Sequence, residues 1–147
     1  MRVVESGQFQ VNKPPREVVE MLKKPEVVAK LLPGVSNVQK SGDEYVGEAS
    51  VRLGHLSGKM NARFKYAEVR DDGVVVVGRA TGLQTTADFK IEVTATPSGS
   101  GSVVSWRFEG EARGLAATLA PTLVSGALKK MAEEAAHNLA QYINAAP

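Results

Sequence analysis

Only two side chains of this 147-residue chain, His55 and His137, ordinarily titrate close to neutral pH. His137 falls on the polar face of a C-terminal helical pattern, and His55 in a turn between two strand patterns. Neither has a second ligand at metal spacing, so the sequence offers no metal centre and no histidine base. Asp71-Asp72-Gly73 places two carboxylates side by side, but Asp-Gly after an alternating run is hairpin chemistry. Gly99-x-Gly101 sits in the short segment Pro97-Ser98-Gly99-Ser100-Gly101-Ser102, and no helix follows to make a phosphate cradle. Glu5 alternates with Val3 and Gly7 and is read as reaching solvent near a strand end. There is no Cys, hence no disulfide framework and no thiolate chemistry. The expectation is no catalytic residue, no metal and no cofactor.

Without chemistry, the apolar residues carry the argument. They make up 43% of the chain, enough for one real core, and a single domain over residues 1–147 is expected. A net charge of +2 is too weak to argue for nucleic acid. No run of 18 apolar residues exists and the N-terminus lacks an apolar signal core, so a cytoplasmic protein is expected.

Leu115–Ile143 shows helical periodicity. One row runs Leu115, Leu119, Leu123, Ala127, Met131, Ala135, Leu139, Ile143, and a second runs Ala116, Ala120, Val124, Leu128, Ala132, Ala136, Ala140. A long helix with one wide buried face is expected, with either a kink or the start of the regular part at Pro121. Upstream, Arg2–Val11 reads as a strand. Two short helices follow, the second begun at Pro25 and stopped by Pro33-Gly34. Six alternating runs come next: Val35–Lys40, Glu44–Leu53, Lys59–Arg70, Val74–Gly82, Thr85–Thr96 and Val103–Arg113. Alternation leaves one solvated face, so the predicted architecture is α+β: a curved antiparallel sheet of about seven strands around one long helix.

Residue size then points to a ligand. Gly47, Ala49, Ala62, Gly78, Ala80, Gly110 and Ala112 face inward, opposite Ala116, Ala120, Ala127 and Ala132 of the helix. Small against small either packs close or leaves a void, and larger inward residues would hold the helix off. An apolar pocket is therefore expected between the sheet and the N-terminal half of the helix. Its expected lining is Leu32, Tyr45, Met60, Phe64, Phe89, Trp106, Phe108, Leu115, Leu119 and Leu123. On the outer face, Arg52, Lys59, Arg63, Lys65 and Arg79 form either a basic patch for an anionic surface or a solvated face interspersed with Glu48 and Glu68.

The order of elements resembles the helix-grip fold of the START/SRPBCC superfamily, and more narrowly the family of the carbon monoxide dehydrogenase G subunit. The residues that carry this are Phe9-Gln10-Val11, Leu32-Pro33-Gly34-Val35, Ala80-Thr81-Gly82, Val104-Ser105-Trp106 and Gly114-Leu115-Ala116. The resemblance implies a non-enzymatic accessory protein of a molybdenum-containing dehydrogenase, with an internal apolar cavity and contact with the cytoplasmic membrane surface. A lipophilic quinone is the cargo such a partner implies. Some members carry an extra C-terminal tail tied to membrane attachment. This chain stops at Ala145-Ala146-Pro147, so peripheral contact at the inner membrane face is expected, not an anchor. Two other readings stay open. One is an enzyme like the superfamily's polyketide cyclases and aromatases, using the same cavity; the other is an adaptor without cargo.

Overall fold

The computed structural model describes residues 1–147, the side chain of Leu56 excepted. The chain runs β1 (Arg2–Val11), α1 (Pro15–Leu22), α2 (Pro25–Leu31), β2 (Val35–Ser41), β3 (Glu44–Leu53) and β4 (Leu56–Val69). It continues with β5 (Gly73–Gly82), β6 (Thr85–Ser98), β7 (Gly101–Gly114), α3 (Leu115–Leu119) and α4 (Pro121–Ala145). Seven antiparallel strands form one sheet in the order β1-β7-β6-β5-β4-β3-β2, so only the first strand is out of sequence. This is the α+β helix-grip architecture expected from the alternation.

Prolines set the helix limits. Pro15 and Pro25 open α1 and α2, where a missing N–H costs nothing. Leu32, ahead of Pro33, is already extended at φ −76°, ψ 114°, as the proline ring requires. Two turns are tighter than the composition implied. Gly54 and His55 alone connect β3 to β4, and β6 and β7 stay paired out to Ser98 and Gly101.

Of the two alternatives at Pro121, the regular part of the helix starts there. Ala120 leaves helical geometry at φ −136°, ψ 57°, and Pro121 starts α4. The cause is Pro121, which supplies no N–H and whose ring crowds the preceding turn. The buried face also differs from the expected one. Leu115, Leu119 and Leu123 are exposed (48, 72 and 49%), while Val124, Ala132, Leu139 and Ile143 are buried. A row spaced by four advances about 40° too far at each step of a 3.6-residue helix. Over the length of α4 such a row therefore wraps around the helix. It begins at Leu123 in solvent, is half-buried at Ala127, Met131 and Ala135, and is fully buried only at Leu139 and Ile143.

The main core lies at the α1/α2 end, where Val18, Leu22, Val74, Val76, Val93, Val104, Leu139 and Ile143 pack together. Hydrogen bonds tie the layers. The Tyr66 hydroxyl donates to the Leu22 carbonyl (2.6 Å), and Asn138 Nδ2 donates to the Leu31 carbonyl (3.1 Å). Ser102 Oγ donates to the Lys13 carbonyl (2.6 Å). Burial, with lesser contributions from Tyr45 and Glu26, raises the Tyr66 phenol above its usual range. A raised acid favours its protonated form in the fold, so this group's contribution is complete below about pH 10 and is lost as pH climbs toward the folded value. Tyr66→Phe should cost about 1–2 kcal/mol at neutral pH, through the orphaned Leu22 carbonyl. It should also flatten the alkaline decline; urea titrations of both proteins at pH 7 and above pH 10 check this.

The outer cations are mostly paired. Lys59 reaches Glu48 (3.5 Å), Arg63 reaches Glu44 (3.6 Å), and Arg79 and Arg113 both reach Asp88 (2.6 and 2.7 Å). The hydrogen bond from Arg79 chiefly, then that from Arg113, keeps the Asp88 carboxyl below its usual range. Of the five expected cations, only Arg52 and Lys65 have no ion pair among the described residues. This pairing favours the solvated-face reading over a free basic patch.

An apolar cavity as candidate functional site

Cross-strand register explains where space opens. One row of paired inward residues reads Tyr45, Phe64, Gly78, Phe89, Gly110. Its glycines make room for rings: a Cβ at Gly78 would stand 2.2 Å from Phe89 Cζ, and one at Gly110 2.9 Å from Phe108. The next row toward the α3 end reads Gly47, Ala62, Ala80, Ala87, Ala112, small on five consecutive strands. This row becomes the floor of a cavity of about 350 Å³. Val124, Ala127, Leu128 and Met131 of α4 form the roof. Phe64 and Phe89 close one end, and Leu32-Pro33-Gly34-Val35 forms a side wall. The polar residues of the lining are exposed or half-buried: Ser50, Arg52, Arg63 and Thr85 from the sheet, and Lys130 and Glu134 from α4. A second void of about 70 Å³ lies between sheet and helix, walled by Val76, Ile91, Trp106, Phe108, Ala135 and Leu139 among others.

The ten residues expected to line one pocket divide into groups. Leu32, Met60, Phe64 and Phe89 line the larger cavity. Trp106 and Phe108 line the smaller void, which Leu32 also touches. Tyr45 lines neither; its ring stacks on Phe64 at 5.3 Å and 24°. Leu115, Leu119 and Leu123 lie outside both, because the row they belong to starts on the solvent side of the helix. In their place the roof is made by Val124 and Leu128 of the second row and by Ala127 and Met131, farther along the first. Leu83 was not foreseen. It sits in the β5–β6 turn at φ 53°, beside Gln84 at φ 54°, a left-handed pair with no glycine to announce it. Thr85 stitches that turn to α3: its hydroxyl donates to the Leu83 carbonyl (3.1 Å) and accepts from the Ala116 N–H (3.0 Å).

The cavity can bind and shelter an apolar molecule. The groups with displaced titration, Tyr66, Glu68, Arg70, Arg79, Asp88 and Glu109, do not line it. No group of three or more His, Cys, Asp or Glu converges among the described residues. None of the helices is long and apolar enough to cross a membrane.

Solved structures share this fold. A conserved protein from Geobacillus kaustophilus superposes with TM-score 0.80 at 15% identity, over 97% of this chain and 95% of its own. The Zhui aromatase/cyclase from Streptomyces sp. R1128 superposes with TM-score 0.66 at 13% identity, over 97% of this chain and 94% of its own. A Thermus thermophilus protein gives 0.61 at 12% identity, over 95% and 96%. At such identities the likeness speaks for the fold alone. Comparison with curated protein sequences gives no match. The family model for the G subunit of carbon monoxide dehydrogenase (CoxG) matches residues 7–144, nearly the whole chain, and the protein belongs to that family.

Proposed function

We propose that this protein is a non-enzymatic carrier of a hydrophobic small molecule, serving a molybdenum-containing carbon monoxide dehydrogenase. The observation that carries this is the 350 Å³ space over five consecutive strands of Gly and Ala. Interiors normally fill to the density of an organic crystal, so an unfilled apolar space of this size is characteristic of a ligand site. Apolar burial is worth about 25 cal/mol per Å². Some 300 Å² of ligand surface would thus contribute roughly 7 kcal/mol before the cost of association is subtracted. The partner comes from the family, and the cargo from the partner: a dehydrogenase must pass its electrons on, and a lipophilic quinone accepts them and matches the walls.

The test is titration of the purified protein with a hydrophobic fluorophore, followed by displacement with a naphthoquinone. Saturable binding and stoichiometric displacement are expected; a linear, unsaturable signal would count against a carrier. A cyclase remains the second reading because an aromatase/cyclase shares the fold. It requires an acid or base beside the folded chain. What supports the carrier is that the charged residues of the lining, Arg52, Arg63, Lys130 and Glu134, are exposed or half-buried, while Gly and Ala make the floor. Turnover of a poly-β-ketone substrate by the pure protein would reverse the choice.

Cargo that is insoluble in water must be exchanged at a lipid surface. The α3–α4 corner suits one. Leu115, Leu119 and Leu123 are exposed there, and Leu123 packs by the β3–β4 turn, its Cδ1 3.3 Å from where a Cβ on Gly54 would stand. No Asp or Glu occurs over residues 49–67, 73–87 or 112–132, which include both sheet turns of this end and the corner itself. Exposed leucines without carboxylates fit an anionic bilayer. Sedimentation with phosphatidylglycerol vesicles should recover the parent and lose Leu119→Ser/Leu123→Ser by about tenfold, from the apolar area withdrawn. Equal recovery of both would remove this corner from the account.

A further inference from the structure

We infer that the inner void of about 70 Å³ is the tail subsite of the same binding site, and that Met131 and Leu32 form the partition its ligand's chain must pass. This rests on the carrier reading and specifies its cargo: a compact head with a linear, flexible hydrocarbon chain.

The two spaces have Leu32 and Met131 as common walls. Leu32 comes from the α2 side and Met131 from α4. Phe108 stands beside them, its ring lying over Gly110 next to the cavity floor. Met131 is half-buried and unbranched, with rotatable bonds that let its thioether swing without moving α4. Beyond the partition the walls are aliphatic or aromatic throughout, including Val74, Val76, Ile91 and Trp106. A space walled in this way stays dry and takes only hydrocarbon. The outer cavity differs: its lining includes Lys130, which is exposed, and Glu134, which is half-buried, both on α4. A ligand polar at one end and apolar at the other therefore has one sensible orientation, head beside these side chains and chain inward. A rigid polycycle would fill the outer cavity and leave the inner one empty.

Trp106 is the only tryptophan of the chain and lies in the inner wall, so it reports a tail's arrival. The probes are saturated fatty acids of increasing length and their ω-bromo analogues, whose terminal bromine quenches indole on contact. Affinity should rise about fourfold per added methylene while the chain stays inside the protein. Trp106 quenching should appear only above a threshold length. Ala135→Leu, at a position that lines the inner space and not the outer cavity, should abolish that quenching and weaken long chains by about tenfold or more, roughly two methylenes' worth, while leaving short chains within about twofold. Met131→Leu should retain both. Met131→Phe blocks the partition itself and should also abolish the quenching, which decides the matter if Ala135→Leu does not fold. Unchanged quenching in a folded variant, or equal weakening of short and long chains, would overturn the tail subsite and leave the carrier standing. Absence of saturable binding at every length would overturn the carrier itself.

Discussion

Ile143→Asp will unfold this protein or cost it about 4 kcal/mol or more, while Leu123→Asp will melt within a few degrees of the parent. Both positions belong to the same four-spaced row of the C-terminal helix. Ile143 is 0% exposed and sits in the core with Val18, Leu139 and Val104. A carboxylate there has no partner, and an unpaired buried charge is among the most destabilising changes a core can suffer. Leu123 is 49% exposed, so the same carboxylate stays hydrated. Thermal melts of the two variants measure the contrast. Similar loss at both sites would mean that the row faces the sheet along its whole length.

Ala80→Leu and Ala112→Leu will each weaken binding of a hydrophobic fluorophore by about tenfold or more, at a stability cost of about 1 kcal/mol or less. Adding methylenes to a filled core costs about 1–3 kcal/mol. These two alanines lie instead in the floor of an open cavity, where the added carbons take volume from the ligand. Gly78→Ala is the counterpart. Its single methyl would stand 2.2 Å from Phe89 Cζ and 2.6 Å from the Arg63 carbonyl oxygen. The ring can turn aside but the backbone cannot, so this smaller change should cost more stability, about 2 kcal/mol. Urea melts and fluorophore titrations on the three variants check the ordering. Tight packing around Ala80 and Ala112 would reverse it.

Period-2 alternation gave the sheet and proline placement gave the short helices, because both are local signals that packing had no reason to override. The cavity floor was also legible. Ala62, Ala80 and Ala112 could be read as inward and small from their own strands, and register then aligned them with Gly47 and Ala87. What each small residue does was not legible. Gly78 and Gly110 sit under Phe89 and Phe108, whereas Ala80, Ala87 and Ala112 line the cavity floor, and only ring tilt decides that. The misplacement of Leu115, Leu119 and Leu123 has a geometric cause, the drift of a four-residue row about the helix, compounded by the break at Ala120. Leu83 and Gln84 fall between the runs Val74–Gly82 and Thr85–Thr96, so the turn was legible, but their positive φ was not, since neither is the glycine or asparagine that normally marks it.

Methyl-resolved NMR of the protein titrated with a naphthoquinone tests the central claim most directly. The account predicts saturable shifts at the methyls of Ala62, Ala80, Ala112, Val124 and Met131, all in the wall of the cavity, with those of Leu115 and Leu119 nearly unmoved. Shifts confined to the exposed leucines, or none that saturate, would contradict it.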